Sequence, residues 1–204
     1  MESYVEEFRD DREKDSDLVV TVDGVSGAGK GTLAEHIADE LDLPCYSAGD
    51  FFRSIAADRG MTVEELSEKA GKEVDVEVDR RTLEKGLEES CVIEGRLPSW
   101  ILGSYSDLRI RLEADLEERA RRVMYDYEGE GREAEEEVSD LEALKQKMRK
   151  RDEDNARRYE DYYGIDLSDL EIYDLIVDNT DLGVDDQNRL VGKVLEKKFP
   201  ERYG

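Results

Sequence analysis

The residues Asp23-Gly-Val-Ser-Gly-Ala-Gly-Lys-Gly-Thr32 combine backbone freedom with positive charge in a pattern that suits one ligand, a chain of phosphates. Gly24, Gly29 and Lys30 satisfy the spacing G-x-x-x-x-G-K between a β-rich run and an amphipathic stretch. Glycines let the backbone curl until successive N–H groups point inward at phosphate oxygens. A helix opening at Lys30 aims its positive dipole end at the same anion, and the ammonium reaches the β- and γ-phosphates. Gly24, Val25, Ser26, Gly27, Ala28, Gly29, Lys30, Gly31 and Thr32 are therefore the expected triphosphate cradle. The residue after the lysine is Gly31, so the hydroxyl available to a Mg²⁺ ion moves one place on, to Thr32.

Such a cradle serves switch GTPases, ATP-driven motors and small-molecule kinases alike. The guanine-reading run Asn-Lys-x-Asp is absent, and no apolar strand ends in the Asp-Glu pair that many ATPases use on water. A kinase needs a second anion site facing the first. Arg53 closes Tyr46-Ser-Ala-Gly-Asp-Phe-Phe-Arg53, and Arg96 closes Cys91-Val-Ile-Glu-Gly-Arg96. Each follows an apolar run, at the strand ends where open α/β sheets bind ligands. The planar guanidinium fork binds phosphate bidentately and stays charged. The lone His36 falls in the helix after the cradle and reads as a surface or packing residue.

These groups need elements to hold them. Leu18–Val22 reads as a buried parallel strand, and residues 30–41 as a helix with Leu33, Ile37 and Leu41 on one face. Asp42 to Cys45 is a brief second strand, and 49–59 a helix. Thr62-Val-Glu-Glu65 is a capping box opening a third helix that Gly71 closes. Residues 74–89 read as helix, Cys91–Glu94 and Leu108–Leu112 as strands, Tyr173–Asp178 as the last strand and 184–198 as the last helix. This alternation predicts an α/β fold with a mostly parallel sheet covered on both faces. Between Tyr125 and Arg158 lies a long polar helical stretch, interrupted by Gly-Glu-Gly at 129–131 and expected to project from the core.

Composition narrows the class further. With 204 residues the chain fits one domain, and no run approaches a membrane span. Residues 1–16 are an acidic leader without the features of a signal peptide, expected to be a solvated tail. Cys45 and Cys91 lack metal-ligand spacing and read as reduced core thiols of a cytoplasmic protein. The net charge of −25 disfavours nucleic acid as a partner. With 19 Arg against 11 Lys, the acidic surface also fits a protein adapted to high salt, where screening suppresses self-repulsion.

The chain resembles archaeal-type cytidylate kinases of the nucleoside-monophosphate kinase family. The matching segments are the cradle, Ser47-Ala-Gly-Asp-Phe-Phe-Arg53, Arg59-Gly-Met-Thr-Val-Glu-Glu65, Val78-Asp-Arg-Arg81, Val92-Ile-Glu-Gly-Arg-Leu97, Ala114-Asp-Leu-Glu-Glu-Arg119, and Arg158-Tyr-x-x-Tyr-Tyr-Gly-Ile-Asp-Leu167 with Ile172-Tyr-Asp-Leu175. The resemblance implies a three-layer α/β/α P-loop kinase with a five-stranded parallel sheet. It further implies a single domain over 17–204, an NMP-binding region about 47–90 and a helical LID about 119–160. By the same resemblance Ser47, Asp50, Arg53 and Arg96 would hold the acceptor phosphate and pyrimidine. Asp79 and Arg80 would support base or phosphate, and Arg119, Arg122, Arg151 and Arg158 would close over the phosphates of ATP. Lys30, Arg96, Arg151 and Arg158 would then carry catalysis, with ATP and Mg²⁺ as cofactors, CMP or dCMP as acceptor, and a monomer as the working unit. The acidic run Glu133–Glu137 makes the LID longer than the family pattern, and Ala156 stands where many relatives place an arginine.

Two rival readings remain. Gly-Lys-Gly-Thr is also found in adenylate kinases, so an adenylate-kinase-like or broad-specificity monophosphate kinase fits the cradle equally well. A non-catalytic, nucleotide-dependent assembly factor fits it too, although paired acceptor arginines at strand ends argue against that role.

Overall fold

The structure is a computed structural model that describes residues 13–63, 65–66, 71–129 and 141–203. Five strands form one sheet: β1 (Val19–Gly24), β2 (Cys45–Ser47), β3 (Cys91–Gly95), β4 (Leu108–Glu113) and β5 (Leu175–Asp178). Their order is β2-β3-β1-β4-β5 and every pairing is parallel. Val20 lies opposite Val92 on one side and Leu108 on the other, which puts β1 at the centre.

Side chains alternate across a strand, so β1 feeds two cores. Leu18, Val20 and Val22 pack under α1 (Lys30–Leu41) and α7 (Val184–Lys198), among Leu33, Ile37, Leu41, Val191 and Leu195. Val19 and Ile93 face the other way, onto Leu83 and Leu87 of α3 (Lys72–Glu88) and Ile101 and Leu102 of α4 (Pro98–Leu102). That second face carries the polar residues Thr21 and Asp23, both fully buried. Ser99 and Ser106 share the Thr21 hydroxyl at 2.8 and 2.9 Å, so no polar atom there needs water.

The expected elements are present with shifted ends. The second strand runs Cys45–Ser47 rather than 42–45, because Asp42 takes a left-handed conformation that ends α1. A helix, α2 (Ala48–Asp58), follows it directly with Ser47 as its cap. The capping box forms reciprocally: Thr62 N donates to Glu65 Oε2 at 2.9 Å and Glu65 N to Thr62 Oγ1 at 3.1 Å. Gly71 is the N-cap of α3. The preceding helix is expected to close at Gly71, and residues 67–70 just before it lie outside the described residues.

The C-terminal part of the polar stretch, residues 141–158, packs on the core rather than projecting, and residues 130–140 lie outside the described residues. After α5 (Leu116–Gly129), the 23-residue α6 (Leu141–Tyr163) buries Leu144, Met148, Asn155, Tyr159 and Tyr163 along one stripe. Leu144 and Met148 pack on Ala120, Val123 and Leu116 of α5, while Tyr159 and Tyr163 enter the second core beside Leu83 and Ile101. Sparse apolar residues suffice because they recur at helical spacing on one face. The acidic run Glu133–Glu137 lies outside the described residues. The end of the leader is not solvated either: Ser16 Oγ donates to Gly86 O at 2.6 Å, and Lys14 pairs with Asp107 at the same distance. Residues 1–12 lie outside the described residues. No described helix is long and apolar enough to cross a membrane.

Candidate functional site

The loop from β1 to α1 turns tightly over the strand end. Gly27 and Gly29 hold φ of 77° and 87°, a left-handed conformation that a side chain would strain. A Cβ on Gly27 would also stand 2.9 Å from the Arg119 carbonyl oxygen. The next residue starts α1, so the loop's N–H groups and the helix dipole converge on one point. Lys30 reaches back over the loop to donate to Val25 O at 3.0 Å, with its Nζ 4.0 Å from Glu94 Oε2. Burial lowers the Lys30 pKa to about 8, against the opposing pull of Glu94. The lysine is thus held desolvated and ready for a stronger anion.

A cavity of about 710 Å³ opens from this loop along the C-terminal ends of β1, β2 and β3. Seven cationic side chains line it: Lys30, Arg53, Arg96, Lys147, Lys150, Arg151 and Arg158. The carboxylates there are four: Asp75, Asp79, Glu94 and Asp154. In a chain of net charge −25, this excess of cations marks a place that attracts anions.

The expected acceptor residues divide. Ser47 caps α2 by accepting from Gly49 N at 3.1 Å, which leaves its hydroxyl proton for a ligand at the helix N-terminus. Arg53 lines the cavity one turn further on, paired with the exposed Asp50, which does not line it. Arg96 follows β3 and keeps its Nε buried without a hydrogen-bond partner among the described residues. A buried donor without a partner is costly, and a phosphate oxygen would satisfy it. Asp79 lines the cavity and accepts a hydrogen bond from the Tyr163 hydroxyl. Burial lifts its pKa to about 7, with the Asp75 charge adding and the Tyr163 bond opposing. Arg80 is not brought to the cavity. Its guanidinium is spent on Glu77 and Glu84 of its own helix, one turn to either side.

The four arginines read together as LID residues also divide. Arg151 and Arg158 line the cavity from α6. Arg119 and Arg122 of α5 instead lie against the phosphate loop itself. Arg119 is buried, donating to Ser26 O at 3.1 Å and to Asp152 at 2.8 Å. Arg122 donates to Asn179 O at 2.8 Å and to Asn179 Oδ1 at 3.0 Å. Asn179 in turn donates to Ala28 O at 2.9 Å, so both arginines are tied to the loop, Arg122 through Asn179.

Several groups escaped the sequence reading, Asp75, Asp23, Asn155 and Glu94 among them. Asp23 is fully buried directly before the loop, accepting from Ser99 N and Oγ and from the Tyr173 hydroxyl at 3.0, 2.9 and 3.1 Å. Burial raises its pKa to about 7. Asn155 is buried on the cavity wall. Glu94 ends β3 beside Lys30, and its signal was the acidic residue closing an apolar run just before Gly95-Arg96. A search for a paired Asp-Glu passes over it.

Oxygen donors for a divalent cation are present at the phosphate end. Thr32 lies in the first turn of α1 without lining the cavity, whereas Glu94 lines it and supplies a carboxylate. Mg²⁺ is commonly held by one or two such groups together with substrate phosphates and water, so this set fits it. Glycine-rich curvature, a desolvated lysine and an adjoining cationic cavity fit a nucleoside triphosphate on one side and a second phosphate on the other.

Comparison with known proteins agrees. The cytidylate kinase-like family matches residues 19–181. A cytidylate kinase of Staphylothermus marinus is 34% identical over 186 residues, covering 90% of this chain and 99% of that protein. One from Haloarcula marismortui is 40% identical over 78% of this chain and 80% of its own length. Among solved structures, shikimate kinase from Bacteroides thetaiotaomicron shares the fold, with a TM-score of 0.60 at 16% identity over 88% of this chain and 98% of that one.

Proposed function

Because the chain belongs to the cytidylate kinase-like family, we propose that it transfers the γ-phosphoryl group of ATP to CMP or dCMP, giving ADP and CDP or dCDP. The observation that carries this reading is the cationic cavity that begins at Lys30 and ends at Arg53, Arg96 and Arg158. It offers two anion sites in one enclosure, as a transfer between two phosphates requires.

Phosphoryl transfer asks chiefly for alignment and charge neutralisation. The loop N–H groups and Lys30 hold the β- and γ-phosphates. Arg53 and Arg96 hold the acceptor phosphate in line, and Arg151 and Arg158 offset charge on the group in flight. Arg119 and Arg122 keep the loop in its curled form from outside. Thr32 and Glu94 would hold Mg²⁺, and the ion would help to neutralise the charge of the phosphates. No side chain needs to move a proton far, since the acceptor phosphate is already anionic.

The protein is further read as a cytoplasmic monomer whose acidic surface suits high salt. The support is its net charge of −25 with 19 Arg against 11 Lys, since mobile ions screen the repulsion of such a surface. A coupled assay with Mg-ATP and CMP, dCMP, UMP or AMP, run at low and at molar KCl, tests these points. CMP and dCMP are expected to be preferred, with activity rising in salt. Preference for AMP would overturn the acceptor, and no turnover on any of them would overturn the kinase.

A further inference from the structure

The acceptor cavity has a wall that the phosphates do not explain. Asp75 and Asp79 stand one turn apart on α3, and Asn155 faces the same cavity from α6. Asn155 Oδ1 accepts from Arg158 Nη2 at 2.9 Å, which settles the orientation of the amide. Its Nδ2 is then a buried donor without a hydrogen-bond partner among the described residues. The residue is only 7% exposed, so water has little access to that group. A ligand acceptor is what it lacks.

We propose that Asp75, Asp79 and Asn155 read the hydrogen-bonding edge of the acceptor base, with Asp79 taking part as a neutral carboxyl group. In cytosine that edge offers the exocyclic N4–H as a donor and N3 and O2 as acceptors. The ionised Asp75 accepts from N4–H, the Asp79 hydroxyl donates to N3, and Asn155 Nδ2 donates to O2. Uracil reverses the first two polarities, so it meets a donor and an acceptor where it needs the opposite. The selection rests on the functional reading above and adds to it a means of choosing the base.

The surroundings say which carboxyl keeps the proton. Asp75 faces two cations, Arg158 of α6 at 3.3 Å and Arg96 from the turn after β3. Burial raises the Asp75 pKa, and these two cations oppose that rise and favour its ionised form. Asp79 receives the Tyr163 hydroxyl as its one hydrogen bond among the described residues. The Asp75 charge on the same helix opposes its ionisation, and Arg158 of α6 favours it less strongly than burial resists it. Tyr159 of α6, also buried beside this pair, is a phenol and brings no charge. Two carboxylates on one helix face therefore share the site as one anion and one acid.

The consequence is a selectivity that depends on pH. Below about pH 7 Asp79 presents its proton and CMP is favoured; above it, N3 of cytosine meets a second carboxylate. CMP and UMP carry the same phosphate, so the ratio of their kcat/KM values cancels every other titration they have in common. That ratio is expected to fall by up to about fifteenfold between pH 7 and 8.5, in proportion to the loss of the protonated acid. Asp79→Asn keeps a permanent N–H donor there, so its ratio should stay level over the same range. Asn155→Leu should weaken binding of CMP and UMP alike, by about tenfold in calorimetry, because both bases present O2. A wild-type ratio that does not change with pH, or an Asp79→Asn ratio that still falls, overturns the inference while leaving the kinase in place. If neither CMP nor UMP binds or reacts, the functional reading itself falls, and this inference with it.

Discussion

The two ends of the cavity are built by different means. The donor end is one continuous loop of the chain, Gly24 to Gly29, between the central strand and the helix it starts. The acceptor end is assembled from α2, the turn after β3, α3 and α6, whose contributing residues span Ser47 to Arg158. In the proposed reading the donor end would meet its ligand mainly with backbone N–H groups and one lysine. The acceptor end would meet its ligand with side chains drawn from several elements. A loop of the first kind recognises what all nucleoside triphosphates share. A wall of the second kind can be changed residue by residue, and the proposed choice of base would reside there.

Removing Lys30 tests the first half of this contrast most severely. Its ammonium is desolvated in the free protein, so Lys30→Ala relieves a buried charge and should leave the melting temperature unchanged or raised. Turnover should fall by about 10³-fold or more, since nothing else at the loop supplies a mobile positive charge to the transferring group. A variant with near-normal turnover would show that the loop is not the donor site.

Arg96→Ala tests the second half with a smaller effect. Its Nε is already orphaned, and truncation removes the fork expected to hold the acceptor phosphate. The kcat/KM for CMP should fall by about 10²-fold, the scale for losing a buried charge-assisted partner. Binding of ATP, measured by calorimetry, should change less than twofold. Equal loss of ATP affinity would place Arg96 at the donor end and collapse the distinction between the two.

The same contrast explains what could be read from the sequence. Gly24, Gly29 and Lys30 announce themselves because the chemistry is local and its spacing is set by one turn of backbone. The sheet and its helices are legible for a related reason, since Leu33, Ile37 and Leu41 or Val20 and Val22 repeat at the period of their element. The packing of α6 escaped because Leu144, Met148, Tyr159 and Tyr163 are few among charges, and only their common face reveals them. Asn155 and Asp75 carry no local signal at all. Their role depends on α3 and α6 meeting across Arg158 and Tyr163, a contact between residues more than eighty positions apart. Arg80 shows the converse: it follows Asp79 in a matching segment, yet successive helix positions diverge by a quarter turn, and two glutamates hold it outside.

The smallest expected effect separates the two ends by their titrations. At the donor end burial lowers the Lys30 pKa to about 8, and a triphosphate is expected to bind its charged form. As pH rises through 8 the free protein loses that proton, so the Kd for ATP should climb by up to about tenfold per pH unit above it, about 1.4 kcal/mol. Lys30→Ala has no such proton to lose and should bind ATP weakly but without that slope. The acceptor end responds earlier, since Asp79 loses its proton near pH 7 and CMP, not ATP, feels the change. Two calorimetric series, ATP and CMP over pH 6 to 9, should therefore break at different points. A common break would mean that one titration governs both ligands, and the loop and the wall would then have to be treated as a single coupled site.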